Sequence, residues 1–226
     1  MAGHVQSAGT TFDNVTNFTY ALPSNPVAGN LIVLSSARYR AGDNSIYREG
    51  DLTKSAGTAT ISTPSLLHFQ FATEIGLAVW SFLVTGSGSL TLQVAHGGTG
   101  TFGSLFLGEF SGNFLNHKDV NYRSAQGNST APDTNTVTTH RVGDTVLFGH
   151  MSALNAAVVT VTPDAAFTQI GEDENGADRV IHSVMYRIVL QGTTDSASWT
   201  LGTTGNWECA ILGFSEGGEF PSRMIV

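Results

Sequence analysis

The sequence predicts an all-β protein, an antiparallel β-sandwich, on three observations. Ser89 to Ala95 alternates strictly, with Leu90, Leu92 and Val94 against Ser89, Thr91 and Gln93, the period of a strand wet on one side. Leu77 to Val84 and Phe102 to Phe110 are apolar on both faces, so they read as strands covered twice or set against another subunit. Helical spacing is scarce, because windows with apolar residues three and four apart are interrupted by Gly, Pro, Asn and Thr.

In chain order, Met1 to Ala8 and Val15 to Tyr20 read as short strands flanking a Gly-Thr-Thr turn. Pro23 to Pro26 is a break, and the apolar run LIVLSSA that follows Asn30 is a core strand. Arg38 to Thr58 is polar, glycine-bearing and rich in the chain's positive charge, and it reads as a long exposed loop. Thr60 to Phe71 is a strand pair broken at Pro64. Gly76 to Gly112 then reads as a β-meander of three strands with Gly/Ser/Thr turns.

Asn113 to Arg141 is polar and joins the two halves of the chain, with an edge strand near Thr134 to Thr139. Asp144 to Met151 is a strand, Val158 to Thr162 and Ala166 to Ile170 flank Pro163, and Gly171 to Asp178 is an acidic loop. A second meander follows in Arg179 to Leu190, Ala197 to Leu201 and Asn206 to Phe214. The halves repeat an order of landmarks: Gly29-Asn30 answers to Gly143-Asp144, Thr63-Pro64 to Thr162-Pro163, and Leu107-Gly108 to Leu212-Gly213. Two similar antiparallel halves joined by a crossover suit two interlocking Greek keys, so a jelly roll with two pseudo-repeated halves is the expected sandwich. Two small stacked β-sandwiches, or an irregular barrel, are the alternatives. Residues 1–216 are expected to form a single domain and 217–226 a C-terminal tail. The core should include Leu90, Leu92, Val94, Phe106, Val184, Ile188, Trp199 and Ile211.

Only 12% of the 226 residues are charged, against about 25% in an average globular protein. The surface is therefore carried by hydroxyls and amides, which lowers the desolvation cost of pressing it against a neighbour. A net charge of -8 with no Lys/Arg cluster argues against nucleic acid as a partner. No run approaches the ~20 apolar residues of a membrane helix, and the start at Met1 to Gln6 lacks signal-peptide features. Cys209 is the only cysteine, so no internal disulfide forms, and the thiol reads as a small buried hydrophobe.

No constellation points to catalysis, a metal or a cofactor, and the chain is expected not to be an enzyme. The nearest cluster to a nucleophile elbow, Gly86-Ser87-Gly88-Ser89, reads as a hairpin turn. Seven histidines (His4, His68, His96, His117, His140, His150 and His182) have no metal-ligand spacing, and His150 and His182 read as structural histidines in strands. Glu109 and Glu208 sit at comparable places in the two meanders, but Glu208 alternates opposite Trp207, Cys209 and Ile211 and reads as outward-facing. Glu172, Asp173, Glu174, Asn175 and Asp178 surround Gly176 without EF-hand spacing and read as a solvated loop. Trp80, Trp199 and Trp207 would offer a platform for sugars if exposed, and burial is the expected state.

Glu109-Phe110-Ser111-Gly112, then Asp119, a Ser/Thr/Asn/Gly spacer, and Gly143-Asp144-Thr145-Val146-Leu147-Phe148-Gly149 resemble a family of jelly-roll-like domains of phage virion proteins and some bacterial surface proteins. The likeness covers roughly residues 12 to 216. It implies a non-enzymatic virion component, a head decoration or tail protein that is made in the host cytoplasm, binds major capsid or tail proteins, and packs as a homotrimer or other small ring. The alternative is a carbohydrate-binding module for host glycans. Independently of the resemblance, Phe220, Met224, Ile225 and Val226 are apolar residues after the loosening Gly217-Gly218, and a free tail has no reason to carry them. They are expected to dock on a neighbouring subunit, or failing that on their own domain.

Overall fold

The computed structural model describes residues 1–39, 47–72, 75–96, 101–114, 121–139, 143–154, 159–173, 180–190 and 192–217. They form strands in antiparallel pairs, with one short 3-10 turn at Glu49–Asp51. The all-β antiparallel class read from the period-two pattern is what the chain adopts.

The first half supplies β1 (Gly3–Val15), β2 (Asn17–Ala21), β3 (Leu31–Tyr39), β4 (Leu52–Ala56), β5 (Thr60–Ile61), β6 (Ser65–Ala72), β7 (Ile75–Gly86), β8 (Thr91–Ala95) and β9 (Thr101–Ser111). Its large sheet runs β1-β9-β3-β7, with β5 and β6 both on β7, and a small sheet β2-β8-β4 lies apart. The second half supplies β10 (Asn121–Ser129), β11 (Val137–Thr138), β12 (Thr145–Leu154), β13 (Val161–Pro163), β14 (Thr168–Asp173), β15 (Val180–Val189), β16 (Thr194–Asp195), β17 (Trp199–Leu201) and β18 (Gly205–Ser215). Its large sheet runs β10-β18-β12-β15-β14, and the short pairs β11-β16 and β13-β17 make its small layer. No sheet takes strands from both halves among the described residues.

Of four apolar clusters among the described residues, three explain why several strands are apolar on both faces. In β3, Ile32 and Leu34 point to the small sheet of their own half, meeting Trp80, Phe82, Leu105 and Leu107 as well as Leu90, Leu92 and Val94 of β8. Leu147, Met151, Ile181, Cys209 and Ile211 do the same in the second half, against Val137, Val161, Trp199 and Leu201. The remaining faces of the large sheets meet each other, Leu31, Val33, Val79, Phe106 and Phe110 packing with Val146, Phe148, Val184, Leu212 and Phe214. The arrangement is two stacked sandwiches, the alternative left open by the sequence, rather than one sandwich to which each half contributes interlocking strands.

Several sequence expectations are corrected. Neither meander exists: β7 and β9 both flank β3, while β8 crosses to the small sheet. The reason lies in β8 itself, whose Thr91 and Gln93 face is only partly covered. Such a strand fits an outer layer, not a position between strands buried on both faces. In the second half β15 and β18 flank β12, and β17 pairs with β13. Gly9-Thr10-Thr11 is no turn, since β1 continues through it opposite β9 with irregularities in register at His4/Gln6 and Phe12/Val15. The exposed loop expected from Arg38 to Thr58 is largely structured in its described part: Arg38 and Tyr39 end β3, Tyr47 and Leu52 are buried in the first core, and β4 pairs with β8. Arg38 is accommodated by stacking its guanidinium 4.5 Å over the Tyr47 ring and by donating to the His96 carbonyl. Of the predicted core, all but Ile188 are buried, and Ile188 is half-buried at the rim of the central core.

Leu92 lies on the face of β8 that closes the first core, 1% exposed. Leu92→Ala is expected to cost about 2 to 5 kcal/mol by urea unfolding, and a loss near zero would mean that the small sheet contributes little to that core.

The halves correspond by register. Leu31 is flanked by Leu83 and Phe110, and Val146 by Ile188 and Phe214. Counting on from there matches Ser35 to His150, Leu77 to His182, and Ser104 to Glu208. Some contacts between the large sheets come in reciprocal pairs, β15 against β3 and β12 against β7, β14 against β9 and β18 against β6, whereas those of β15 with β9 and of β1 with β14 have no equal counterpart. The halves are thus related by an approximate two-fold between β3 and β12, which their contacts follow only in part.

Candidate functional site

The richest collection of chemistry-bearing side chains lies on this pseudo-axis. Ser35 of β3 sits at the centre, its Oγ 3.1 Å from His150 Nδ1 and 2.9 Å from His182 Nε2. The other His182 nitrogen, Nδ1, is 2.9 Å from Ser104 Oγ. The His68 ring stands edge-on to His150 at 5.2 Å. Ser35, Ser104, His150 and His182 have no exposed surface.

The sequence places them there for a definite reason. Positions i and i+2 of a strand share a face, so Ser35 follows Leu31 and Val33 into the central core, and His150 follows Val146 and Phe148. The chain of bonds is complete when both imidazoles are neutral. Two tautomer arrangements satisfy it, with Ser35 donating to one histidine and accepting from the other, and either leaves His150 Nε2 without a partner. Burial favours the neutral form: it pulls His182 down to about 3 and His68 to about 4, and His150 is held well below 6.5 by burial and then by its two histidine neighbours.

This resembles the hydroxyl–imidazole contact of nucleophilic catalysis in its atoms only. The serine is shared between two neutral imidazoles in a water-excluded layer, and no carboxylate bonds either histidine among the described residues. Its chemical effect is positional, because each half supplies groups that only the other half satisfies.

Glu208 shares the central layer. It alternates opposite Trp207, Cys209 and Ile211 as the sequence implies, but the face it occupies is covered by the first half, and the carboxyl is fully buried. Neither carboxyl oxygen has a hydrogen-bond partner, and burial raises its pKa well above 4.5. Glu109 lies on the opposite kind of face, toward the first core, and accepts from Gln6 Nε2 at 2.5 Å, the Val27 amide at 2.9 Å and Asn30 Nδ2 at 2.6 Å. The two glutamates are no catalytic pair: one is a satisfied structural acceptor and the other is buried without a partner.

The other sequence candidates are not brought together among the described residues. All three tryptophans are buried; Trp199 donates to Ser183 Oγ at 3.2 Å and Trp207 to Ser129 Oγ at 3.0 Å. Cys209 is buried, which pushes its thiol up to about 12. His4 stacks on Tyr186 at 4.7 Å, and His96 lies 3.1 Å from the Tyr47 hydroxyl and stacks on Phe12. No group of three or more His, Cys, Asp or Glu side chains among the described residues could hold a metal ion. Glu172 and Asp173 end β14, while Glu174, Asn175, Gly176 and Asp178, His117 and His140, and the tail residues Phe220, Met224, Ile225 and Val226 lie outside the described residues.

On the surface, a cleft of about 300 Å³ between β10 and β11 is lined by Asn121, Arg123, Asn135, Thr136, Val137 and Thr138. Asn121 Nδ2 donates to the Thr138 carbonyl, and Arg123 Nη1 to the carbonyl of Tyr122, which leaves most guanidinium N–H groups for a ligand. Neither this cleft nor the histidine–serine chain was singled out from the sequence. A signal for the second existed in the polar residues inside otherwise apolar strands, Ser35 within LIVLSSA and His150 within VLFGHMSA. No family model, curated protein or solved structure matches the chain.

Proposed function

We propose that the chain is a non-enzymatic structural subunit of a phage particle, a head decoration or tail component that binds itself and the major capsid or tail proteins. The observation that carries this reading is the strand order. Strands β1 to β4 and β7 to β9, and in the second half β10 to β14, alternate between the large and the small layer, while β5 to β7 and β14 to β15 stay in the large one; such interleaving is what a chain wound as a jelly roll produces. A jelly-roll-like winding is also what the resemblance around Glu109 to Gly112 and Gly143 to Gly149 implies, there for one domain spanning both halves. The concentration of ionisable groups in sealed layers, with a surface of amides and hydroxyls, supports a packing role over catalysis. The test is co-sedimentation of the purified protein with particles lacking it, with cryo-electron microscopy of the product. Ordered density for the protein on the particle is the expected result, and failure to bind any particle or partner protein overturns the reading.

The second reading, a glycan-binding module, has a specific observation in its favour. The β10–β11 cleft offers amide, hydroxyl and guanidinium donors to a polyhydroxylated ligand, although it has none of the three tryptophans as a stacking surface. Binding on a glycan array that disappears in Arg123→Ala would promote it over the first.

A further inference from the structure

Sheet edges carry a hazard, because the outer backbone groups of an edge strand can pair with another chain. Most edges of this protein are interrupted. The registers of β1, β4, β5, β6 and β14 each contain at least one shift against their inner neighbours, and the short pairs β11-β16 and β13-β17 are two or three residues long. Bulges and short strands are devices that blunt an edge.

β10 has neither. It runs nine residues in unbroken register with β18, from Asn121 opposite Gly213 to Ser129 opposite Gly205. Among the described strands β18 is its only neighbour. Its sequence NYRSAQGNS contains no proline or lysine and a single charge, and most of its side chains are exposed. Tyr122, 49% exposed, is one of the few large apolar side chains left uncovered among the described residues. A strand so long, regular and sparsely charged is fitted to strand addition.

We propose that β10 is a self-association surface, pairing antiparallel with β10 of a second copy about a two-fold axis at Ala125. The sequence of the strand argues for this occupant. Centred on Ala125, the pairing sets Arg123 opposite Gly127, so the only charge of the strand meets no like charge, and the small glycine leaves room for the long side chain. Ser124 then faces Gln126, a hydroxyl against an amide, and Tyr122 faces Asn128. Side chains of paired residues lie on the same face, so the two large sheets join into one, each still covered by its own small layer and by its own first half. An isologous contact of this kind closes as a dimer, which differs from the three-fold packing implied by the family resemblance. The inference shares with the particle reading only the expectation of self-association.

The test uses the whole chain. Mass in solution is expected to double with concentration, and hydrogen exchange at residues 121–129 to slow by about tenfold or more as the dimer forms. Ala125→Lys and Ala125→Glu place like charges opposite each other, and each is expected to be monomeric. An equimolar mixture of the two is expected to restore the dimer, a rescue that a merely unfolded variant would not give. If both substitutions disturb folding, exchange in the unaltered protein decides alone. A protein monomeric at all concentrations, an oligomer without protection at 121–129, or a trimer unaffected by either substitution overturns the proposal. Particle binding by a monomer overturns this inference and leaves the particle reading intact, and a β10 dimer that binds no particle does the reverse.

Discussion

Acidification from pH 7 to pH 3 is expected to unfold the protein, with the buried histidines as the cause. His182 is fully buried and titrates near 3 in the folded state, against 6.5 for a free imidazole. Its folded pKa is depressed, so between those values the unfolded chain binds a proton that the native state refuses. The stability contributed is complete above 6.5 and is lost as the pH falls toward 3. For His182 alone the loss is on the order of 4 kcal/mol. His68 and His96, lowered to about 4 and about 3 mainly by burial, act in the same direction, as does His150. Since whole domains are stable by only about 5 to 15 kcal/mol, the combined effect is enough to unfold the chain. Urea midpoints measured from pH 8 to pH 3 should fall steeply below 6.5, and the fall should be shallower in His182→Asn by up to one proton's worth of slope. A midpoint that stays level from pH 7 to pH 4 would show that these histidines are not neutral and buried together.

The histidine–serine chain also marks the limit of what the sequence made legible. Strand positions were readable because the period-two pattern is local: Leu90, Leu92 and Val94 declare a face without reference to any partner. The repeat was readable as well, through Gly29-Asn30 and Gly143-Asp144, which do open corresponding strands. Strand neighbours were not. β7, β8 and β9 follow one another with short links, and a meander is the cheapest local solution. Yet β3 takes the place between β7 and β9, because its nine buried residues satisfy both layers and the half-polar β8 cannot. Ser35, Ser104 and Glu208 were hidden for a related reason. The partners of Ser35 and Ser104, and the sheet that covers Glu208, come from the other half of the chain, and a buried hydroxyl or carboxyl is indistinguishable in sequence from one facing water until the covering sheet is known. Tyr47 and Leu52 were lost in a polar stretch whose single apolar side chains have no periodic neighbours to announce them.

Glu208→Leu is expected to stabilise the protein by about 1 to 4 kcal/mol at pH 8, on the scale of the gain when buried ion pairs give way to packed apolar side chains. The register correspondence of the halves suggests what this carboxyl lacks. Glu208 corresponds to Ser104, and the residue that meets Ser104 is His182, whose own counterpart is Leu77. One side of the interface has an imidazole and a hydroxyl 2.9 Å apart; carried across by register, the same pairing would turn the Glu208 carboxyl toward the Leu77 alkyl chain, which can donate nothing. The folded pKa of Glu208 is raised, so its neutral form is stable below the unfolded value of 4.5, and stability is lost as pH rises toward the folded value. The advantage of the leucine variant should therefore be small near pH 4 and grow with pH, opposite in sign to the histidine effect and separable from it by comparing variant with wild type. The correspondence makes a sharper demand of Leu77→His, which places an imidazole where the two-fold puts His182. Its cost should be smaller in the presence of Glu208 than in Glu208→Leu, a coupling of roughly 1 to 3 kcal/mol in a double-mutant cycle of urea midpoints at pH 7. Additivity of the two substitutions would mean that Leu77 and Glu208 do not meet, and that the two halves are related by sequence order without the symmetry inferred for their contact.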